Sequence, residues 1–280
     1  MDEGIRPSLR FLRRGTDFPR KRRSRGVYLL PGLFTVANMF CGYACVVYAM
    51  RGEFSTAAPF IGFAIVLDML DGRIARMTGT ASEFGVQFDS LADVISFGVA
   101  PAILSFSWGL APLGRLGWAA GFVFVTAAAL RLARFNIQSA AGGDKRYFVG
   151  MPSPAAAAVP AATVFAYPAG FTDYRAALPA LAMVLVPALL MVSTIRFRSF
   201  KTIDLQSRRP YSVLLLVAAG IMLITTHPQV TLVVMAYTYL MSAFIGLAVS
   251  RFRQRDSDRG SGESGPAQTS SVSSRGSAAS

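Results

Sequence analysis

Four aspartates between residues 68 and 93 are the residues in this chain best suited to do chemistry. Asp68 and Asp71 end one apolar segment, and Asp89 and Asp93 begin the next. A charge inside an apolar span is costly, so such residues usually serve a function. Four converging carboxylates would repel one another without a cation, and hard oxygen ligands suit Mg²⁺, Mn²⁺ or Ca²⁺ better than zinc. The pattern predicts a divalent-metal site; the alternative is a set of ion pairs between helices, or acids at helix ends that face the headgroups.

Helical geometry places small residues and an arginine beside these acids. With about 100° of rotation per residue, an arc of roughly 140° on the first helix carries Asp68, Asp71, Gly72, Ala75 and Arg76. In the second helix, one face carries Gly85, Asp89 and Asp93 at spacings of four. The small residues leave room for a ligand. Carboxylates that hold Mg²⁺ beside an arginine suit a diphosphate, and two metals would stabilise the attacking and leaving oxygens of phosphoryl transfer.

The segments that carry the acids are membrane helices by composition. Hydrophobic residues make up 53% of the 280 residues, charged residues only 15%, and the mean hydropathy is +0.45. Soluble domains carry about 25% charged residues. This composition excludes a soluble enzyme, a disulfide scaffold and a disordered regulator. The two cysteines, Cys41 and Cys45, are predicted to pack on one face of a helix.

Eight apolar segments predict an all-α, polytopic membrane helix bundle, because a helix needs about 20 apolar residues to cross the hydrocarbon core. The segments are 33–50, 56–76, 89–108, 116–136, 154–170, 176–194, 211–226 and 229–250. A membrane-embedded domain over residues 27–250 would then lie between a basic, disordered arm at 1–26 and a disordered tail at 251–280.

The distribution of basic residues orients the bundle. With the N-terminus inside, only three of the 28 Lys and Arg residues lie on the outer side: Arg51, Arg115 and Arg175. Both termini and the even-numbered connections are then cytoplasmic. In so apolar a chain, the net charge of +13 suits anionic membrane lipids rather than nucleic acid.

Two tryptophans and the single histidine fall near the predicted outer side. Trp108 and Trp118 suit an interfacial aromatic belt, with simple packing as the alternative. His227 precedes a proline and is predicted to be structural.

The complete motif resembles that of a known enzyme family. The pattern Asp68-x2-Asp71-Gly72-x2-Ala75-Arg76-x8-Gly85-x3-Asp89-x3-Asp93 is similar at every fixed position to the signature of the CDP-alcohol phosphatidyltransferases. The resemblance implies an integral-membrane enzyme with a six-helix catalytic core. Such an enzyme moves a substituted phosphate from a CDP-linked donor to an alcohol and releases CMP. The resemblance also implies a homodimer.

The same resemblance implies a role for each motif position. Asp68, Asp71 and Asp89 would hold a pair of divalent ions, Mg²⁺ or Mn²⁺, with Asp93 completing the site. Asp93 would also be the general base that takes the proton of the acceptor hydroxyl. The residues that accommodate the CDP part would be Gly72, Ala75, Arg76 and Gly85, with the arginine near phosphate.

Three further stretches resemble the membrane-type phosphatidylserine synthases of that family, namely 28–42, 130–136 and 147–157. This implies CDP-diacylglycerol as the donor and L-serine as the acceptor. Gly32 departs from the pattern, since many members have asparagine there. Because guanidinium pairs with a carboxylate through two bonds, the candidates for the acceptor site are Arg131 and Arg134, with hydrogen bonds from Asn136 and Ser153. The alternative is that these arginines only obey the positive-inside rule.

Other functions stay open at this point. The same chemistry could act on glycerol 3-phosphate or an inositol phosphate, for which Lys145 and Arg146 could add positive charge. An intramembrane prenyltransferase would be expected to carry a second acidic motif, and a transporter would move a solute without releasing CMP. The excess of Arg over Lys is compatible with a bacterium, so the predicted location is a bacterial inner membrane with the site facing the cytoplasm.

Overall fold

The structure is a computed structural model of the chain, and it describes residues 29–78, 82–140, 147–193, 196–198, 210–242 and 244. The predicted arm at 1–26 and tail at 251–280 lie outside the described residues. The described residues are mainly helical, with one pair of three-residue strands among them.

Each of the eight predicted apolar segments contains a helix. The first four elements are α1 (Leu29–Met50), α2 (Phe54–Thr78), α3 (Glu83–Val94) and α4 (Ala100–Ser105). They are followed by α5 (Arg115–Ala140), α6 (Ser153–Ala166), α7 (Tyr174–Val192), α8 (Pro210–Thr226) and a last helix, α9, over residues 228–242. The all-α class is therefore confirmed for the described part of the chain.

Five stretches of the described chain are long and apolar enough to cross a membrane. They are Gly32–Met50, Phe54–Ile74, Glu83–Leu113, Arg115–Ser139 and Tyr174–Val192, and a shorter apolar helix covers Ser153–Ala166. The chain is thus an integral membrane protein by its helices. Eight crossings and cytoplasmic termini stay predictions.

The third of these stretches, Glu83–Leu113, forms one long helical rod that contains two π-helical turns. π-helical turns at Ile95–Val99 and Phe106–Leu110 join α3 to α4 and continue the rod to Leu113. An extra residue in a helical turn redirects the side chains around it, and such turns are frequent at functional sites. The first of them begins two residues after Asp93.

Small residues fill the contacts between helices. Ala57 and Ala64 of α2, Ala100 of α4 and Ala128 of α5 are completely buried. Small side chains let helix backbones approach closely in a membrane, where packing rather than hydrophobic burial holds helices together. Cys41 and Cys45 are free, buried and part of this core, so their predicted packing role is confirmed.

The tryptophans differ from each other. Trp108 is 2% exposed, its Nε1 donates to the carbonyl of Tyr167 at 2.7 Å, and its ring meets Phe171 edge-on at 4.9 Å. Packing, the alternative to an aromatic belt, therefore describes this residue. Trp118 is exposed and stacks on Phe122. His227 lies exposed between α8 and α9, and its carbonyl accepts the hydroxyl of Thr231 at 2.8 Å.

The structure contains a small antiparallel ribbon that the sequence did not predict. Tyr147–Val149 pairs with Arg196–Arg198, with Tyr147 opposite Arg198. The two strands belong to the α5–α6 and α7–α8 connections, so both connections lie at the same end of the bundle. Next to the ribbon, the Met151 amide donates to the carbonyl of Leu190 at 3.0 Å. Gly150 turns the chain there with φ +87°, and a Cβ would lie 2.5 Å from the carbonyl oxygen of Met191.

Candidate metal centre and active site

Two of the predicted acids lie in the last turns of α2. Asp71 is 5% exposed and accepts a hydrogen bond from the Oγ1 of Thr35 in α1. Asp68 lies one turn earlier and is half-buried. Helix α3 begins at Glu83, five residues after the last residue of α2.

The other two acids lie in the second half of α3. Ser82 caps this helix, since its hydroxyl accepts the Gly85 amide at 3.0 Å. Serine is favoured at this position because it satisfies one of the free amides at a helix start. Asp89 is half-buried and Asp93 is 8% exposed. The cap fixes where α3 begins, and therefore which face carries these acids.

The structure brings three of the four acids into one cluster. A carboxylate oxygen from each of Asp68, Asp89 and Asp93 lies within 4.8 Å of the other two. The Oδ1 atom of Asp89 is buried and has no hydrogen-bond partner among the described residues. Three oxygen donors with a buried, unpaired atom fit a hard divalent cation. Asp71 lies near enough to interact electrostatically with Asp68 and Asp89, while Thr35 binds its carboxylate.

Helix α1 contributes residues that the sequence analysis did not assign. The Nδ2 of Asn38 donates to the Oδ1 of Asp93 at 3.1 Å, and Asn38 is completely buried. Thr35 binds Asp71 from the preceding turn of the same helix. The signal was available, because two polar residues three apart in an apolar helix share one face. They were missed because only charged residues were weighed as costly in the membrane.

Arg131 of α5 lies beside the acids. Its NH1 donates to the Oγ of Ser153 at 2.7 Å, and its Nε is buried without a partner among the described residues. It lies close enough to Asp93 and Asp68 to interact electrostatically with both. Ser153 is completely buried at the first position of α6. The structure therefore places two of the predicted acceptor residues in contact, next to the acidic cluster.

The remaining predicted site residues lie outside the cluster of Asp68, Asp89 and Asp93. The Nδ2 of Asn136 donates to the Oγ of Ser90 at 2.9 Å, a bond that ties α5 to α3. Arg134 is half-buried. Gly72 is exposed, and Gly85 is half-buried with its amide taken by Ser82. The backbone of Ala75 and Arg76 belongs to α2, and their side chains lie outside the described residues.

Comparison with known proteins gives a consistent result. A family model described as CDP-alcohol phosphatidyltransferase matches residues 28–188. A CDP-diacylglycerol–serine O-phosphatidyltransferase of Helicobacter pylori strain 26695 is 37% identical over 224 residues, which cover 78% of this chain and 91% of the relative. The protein of the same name from strain J99 is 36% identical over the same length. An archaetidylserine synthase of Methanothermobacter thermautotrophicus is 34% identical over 170 residues, 60% of this chain and 69% of the relative.

Proposed function

The chain belongs to the CDP-alcohol phosphatidyltransferase family, and from that premise we propose that it transfers the phosphatidyl group of CDP-diacylglycerol to the hydroxyl of L-serine. The products are phosphatidylserine and CMP. The observation that carries the proposal is the contact of Arg131 with Ser153 beside the cluster of Asp68, Asp89 and Asp93. The names of the relatives support the same donor and acceptor.

In the proposed site, the acids hold two divalent ions, Mg²⁺ or Mn²⁺. The ligands are Asp68, Asp89 and Asp93 together with Asp71. When bound, such ions neutralise charge on the diphosphate and on the phosphate undergoing transfer. The fit rests on the donor set, which is all carboxylate oxygen, and on the unpaired Oδ1 of Asp89.

The proposed reaction uses Asp93 as general base. Its carboxylate takes the proton of the serine hydroxyl, the serine oxygen forms a bond to the phosphorus that carries diacylglycerol, and the bond from that phosphorus to CMP breaks. A carboxylate within reach of the hydroxyl can serve in this way. The CDP part is held by the side of α2 and α3 that carries Gly72, Ala75, Arg76 and Gly85.

The serine carboxylate has a partner of suitable chemistry in Arg131. The NH1 of this guanidinium is held by Ser153, while its buried Nε has no partner among the described residues. A guanidinium can bind a carboxylate through two parallel bonds. Arg134 adds positive charge at the same helix end, and Asn136 holds that end of α5 against α3.

The proposal also covers the membrane topology, location and oligomeric state of the enzyme. Eight membrane crossings with both termini in the cytoplasm place the acids at the cytoplasmic side of a bacterial inner membrane. The ribbon supports this arrangement, because it joins two connections that the topology puts on one side. The functional unit is a homodimer.

The test is CMP release by the purified chain in detergent, with CDP-diacylglycerol and one alcohol at a time. L-Serine, glycerol 3-phosphate and an inositol phosphate are compared, each with Mg²⁺, with Mn²⁺ or with a chelator. We expect CMP and phosphatidylserine only with serine and a divalent ion, and loss of both products in Asp93→Asn. Release with glycerol 3-phosphate but not with serine would refute the acceptor. Near-normal turnover of Asp93→Asn would refute the base.

A further inference from the structure

Asn38 is a buried amide in the middle of an apolar helix. It is completely buried in α1, whereas the larger apolar residue two positions later, Phe40, is exposed. Burial of an amide is unfavourable unless its hydrogen-bonding groups find partners. The amide has one such partner, Asp93, and that partner belongs to the acidic cluster.

The backbone around Asn38 is fixed against the long rod. The Ser96 hydroxyl donates to the carbonyl oxygen of Asn38 at 2.9 Å. One turn later, a Cβ on Gly42 would lie 2.7 Å from the Oγ and 2.8 Å from the Cα of Ser96. Only glycine permits so close an approach of α1 to the π-helical turn. These contacts therefore fix the position of the Asn38 amide relative to Asp93.

The amide also supplies only one kind of group to the carboxylate. An ionised carboxylate only accepts hydrogen bonds, so the Nδ2 of Asn38 must be the atom that faces Asp93. The Oδ1 of Asn38 is left buried without a partner among the described residues. An unpaired buried acceptor is unfavourable, so the contact with Asp93 is kept at a cost to the fold, as is common at functional sites.

We infer that Asn38 is a positioning residue that fixes the orientation of the Asp93 carboxylate relative to Asp68 and Asp89. It acts through Asp93 and contacts neither substrate. The inference rests on the proposed function for the role of Asp93 as ligand and base. Residues that hold metal ligands by hydrogen bonds commonly change metal affinity or activity by about 10- to 100-fold when they are replaced.

The test measures Mn²⁺ binding to the purified full chain in detergent, by the electron paramagnetic resonance signal of the free ion. Asn38→Leu keeps the branched shape and removes the donor, and it is made alone and together with Asp93→Asn. Ser105→Ala is the matched control, because Ser105 is also completely buried and its hydroxyl donates to the Pro101 carbonyl of its own helix. Asn38→Ala is the second variant if the leucine variant does not elute as a folded protein.

We expect Asn38→Leu to weaken Mn²⁺ binding by about 10- to 100-fold, and Ser105→Ala to leave it unchanged. In the Asp93→Asn background, Asn38→Leu should have almost no further effect, because two residues that act as one unit are not additive. In the CMP assay, kcat should fall while KM for CDP-diacylglycerol stays the same.

Three binding results would overturn the inference. They are an equal loss of Mn²⁺ binding in the Asp93→Asn background, no loss in Asn38→Leu or no Mn²⁺ binding by the unsubstituted chain. If neither Asn38 variant folded, the residue would be needed for folding and the positioning role would also be overturned. The proposed function fails differently, since coupled Mn²⁺ binding without serine-dependent CMP release would leave the role of Asn38 intact.

Discussion

Replacement of Arg131 by lysine tests the acceptor site most directly. Lysine keeps the positive charge beside Asp93 and Asp68 but has no group equivalent to the guanidinium Nε or its planar fork. In the structure, NH1 is already bound to Ser153 at 2.7 Å, and Nε is the buried donor without a partner among the described residues. The substitution therefore removes one of the two bonds available to the serine carboxylate.

The size of the effect follows from that lost bond. A hydrogen bond to a charged group contributes about 1.5–3 kcal/mol. Since about 1.4 kcal/mol corresponds to a factor of ten, the KM for serine should rise roughly 10- to 150-fold in Arg131→Lys. The KM for CDP-diacylglycerol should not change, because the proposed CDP-binding residues lie in α2 and α3, whereas Arg131 lies in α5.

The assay is CMP release under saturating donor with serine varied, then with ethanolamine in its place. Ethanolamine carries the hydroxyl and amine of serine but no carboxylate, so Arg131→Lys should reduce the preference for serine by the same factor as the rise in KM. Arg175→Lys is the matched control, since Arg175 is exposed in the first turn of α7. An unchanged KM for serine with a lower kcat would refute the reasoning, because Arg131 would then act on the acids alone.

Three further predictions concern the cluster, the turn before α6 and the cysteines. Asp89→Asn should lower the rate of CMP release by at least about a hundredfold, the scale seen when charge stabilisation is removed from an active site. Unchanged elution from a sizing column is the control, and a rate within tenfold of the original chain would contradict the prediction. Gly150→Ala should destabilise the folded chain by about 1–3 kcal/mol, because φ is +87° and the new Cβ would contact the carbonyl oxygen of Met191. The measurement is the thermal unfolding midpoint in detergent, which should fall; an unchanged midpoint would show that the turn relaxes freely. The double variant Cys41→Ala and Cys45→Ala should keep its activity with or without reductant, because both thiols are free and buried, and a reductant-dependent activity in the original chain would count against this.

The sequence predicted the acids for a physical reason. Carboxylates at the ends of apolar helices are too costly to be accidental. Helical spacing predicted one face for Asp68 and Asp71 in the first helix and one face for Asp89 and Asp93 in the second. The structure brings three of these four acids, Asp68, Asp89 and Asp93, into one cluster. The positions of the helices were equally predictable, because the length and hydropathy of the apolar segments determine them.

The parts that could not be predicted depend on contacts between distant segments. Thr35 and Asn38 are uncharged, and only the packing of α1 against α2 and α3 reveals that they bind Asp71 and Asp93. The strand Tyr147–Val149 pairs with Arg196–Arg198 from another connection, so its pairing follows from where α5 and α7 end. The π-helical turns have no simple residue pattern, and the contact of Arg131 with Ser153 joins two different helices, α5 and α6.

The bond from the Met151 amide to the Leu190 carbonyl ties α7 to the segment just before Ser153, and so links the proposed acceptor site to a helix whose tilt depends on bilayer thickness. Helix α7 has 19 residues, and at 1.5 Å per residue it is about as long as the hydrocarbon core of roughly 30 Å. A thinner bilayer is accommodated by helix tilt. Tilt of α7 would pull on the segment that leads directly into Ser153, and through it on Arg131. The rate of the enzyme should therefore depend on the acyl-chain length of the membrane that it helps to build.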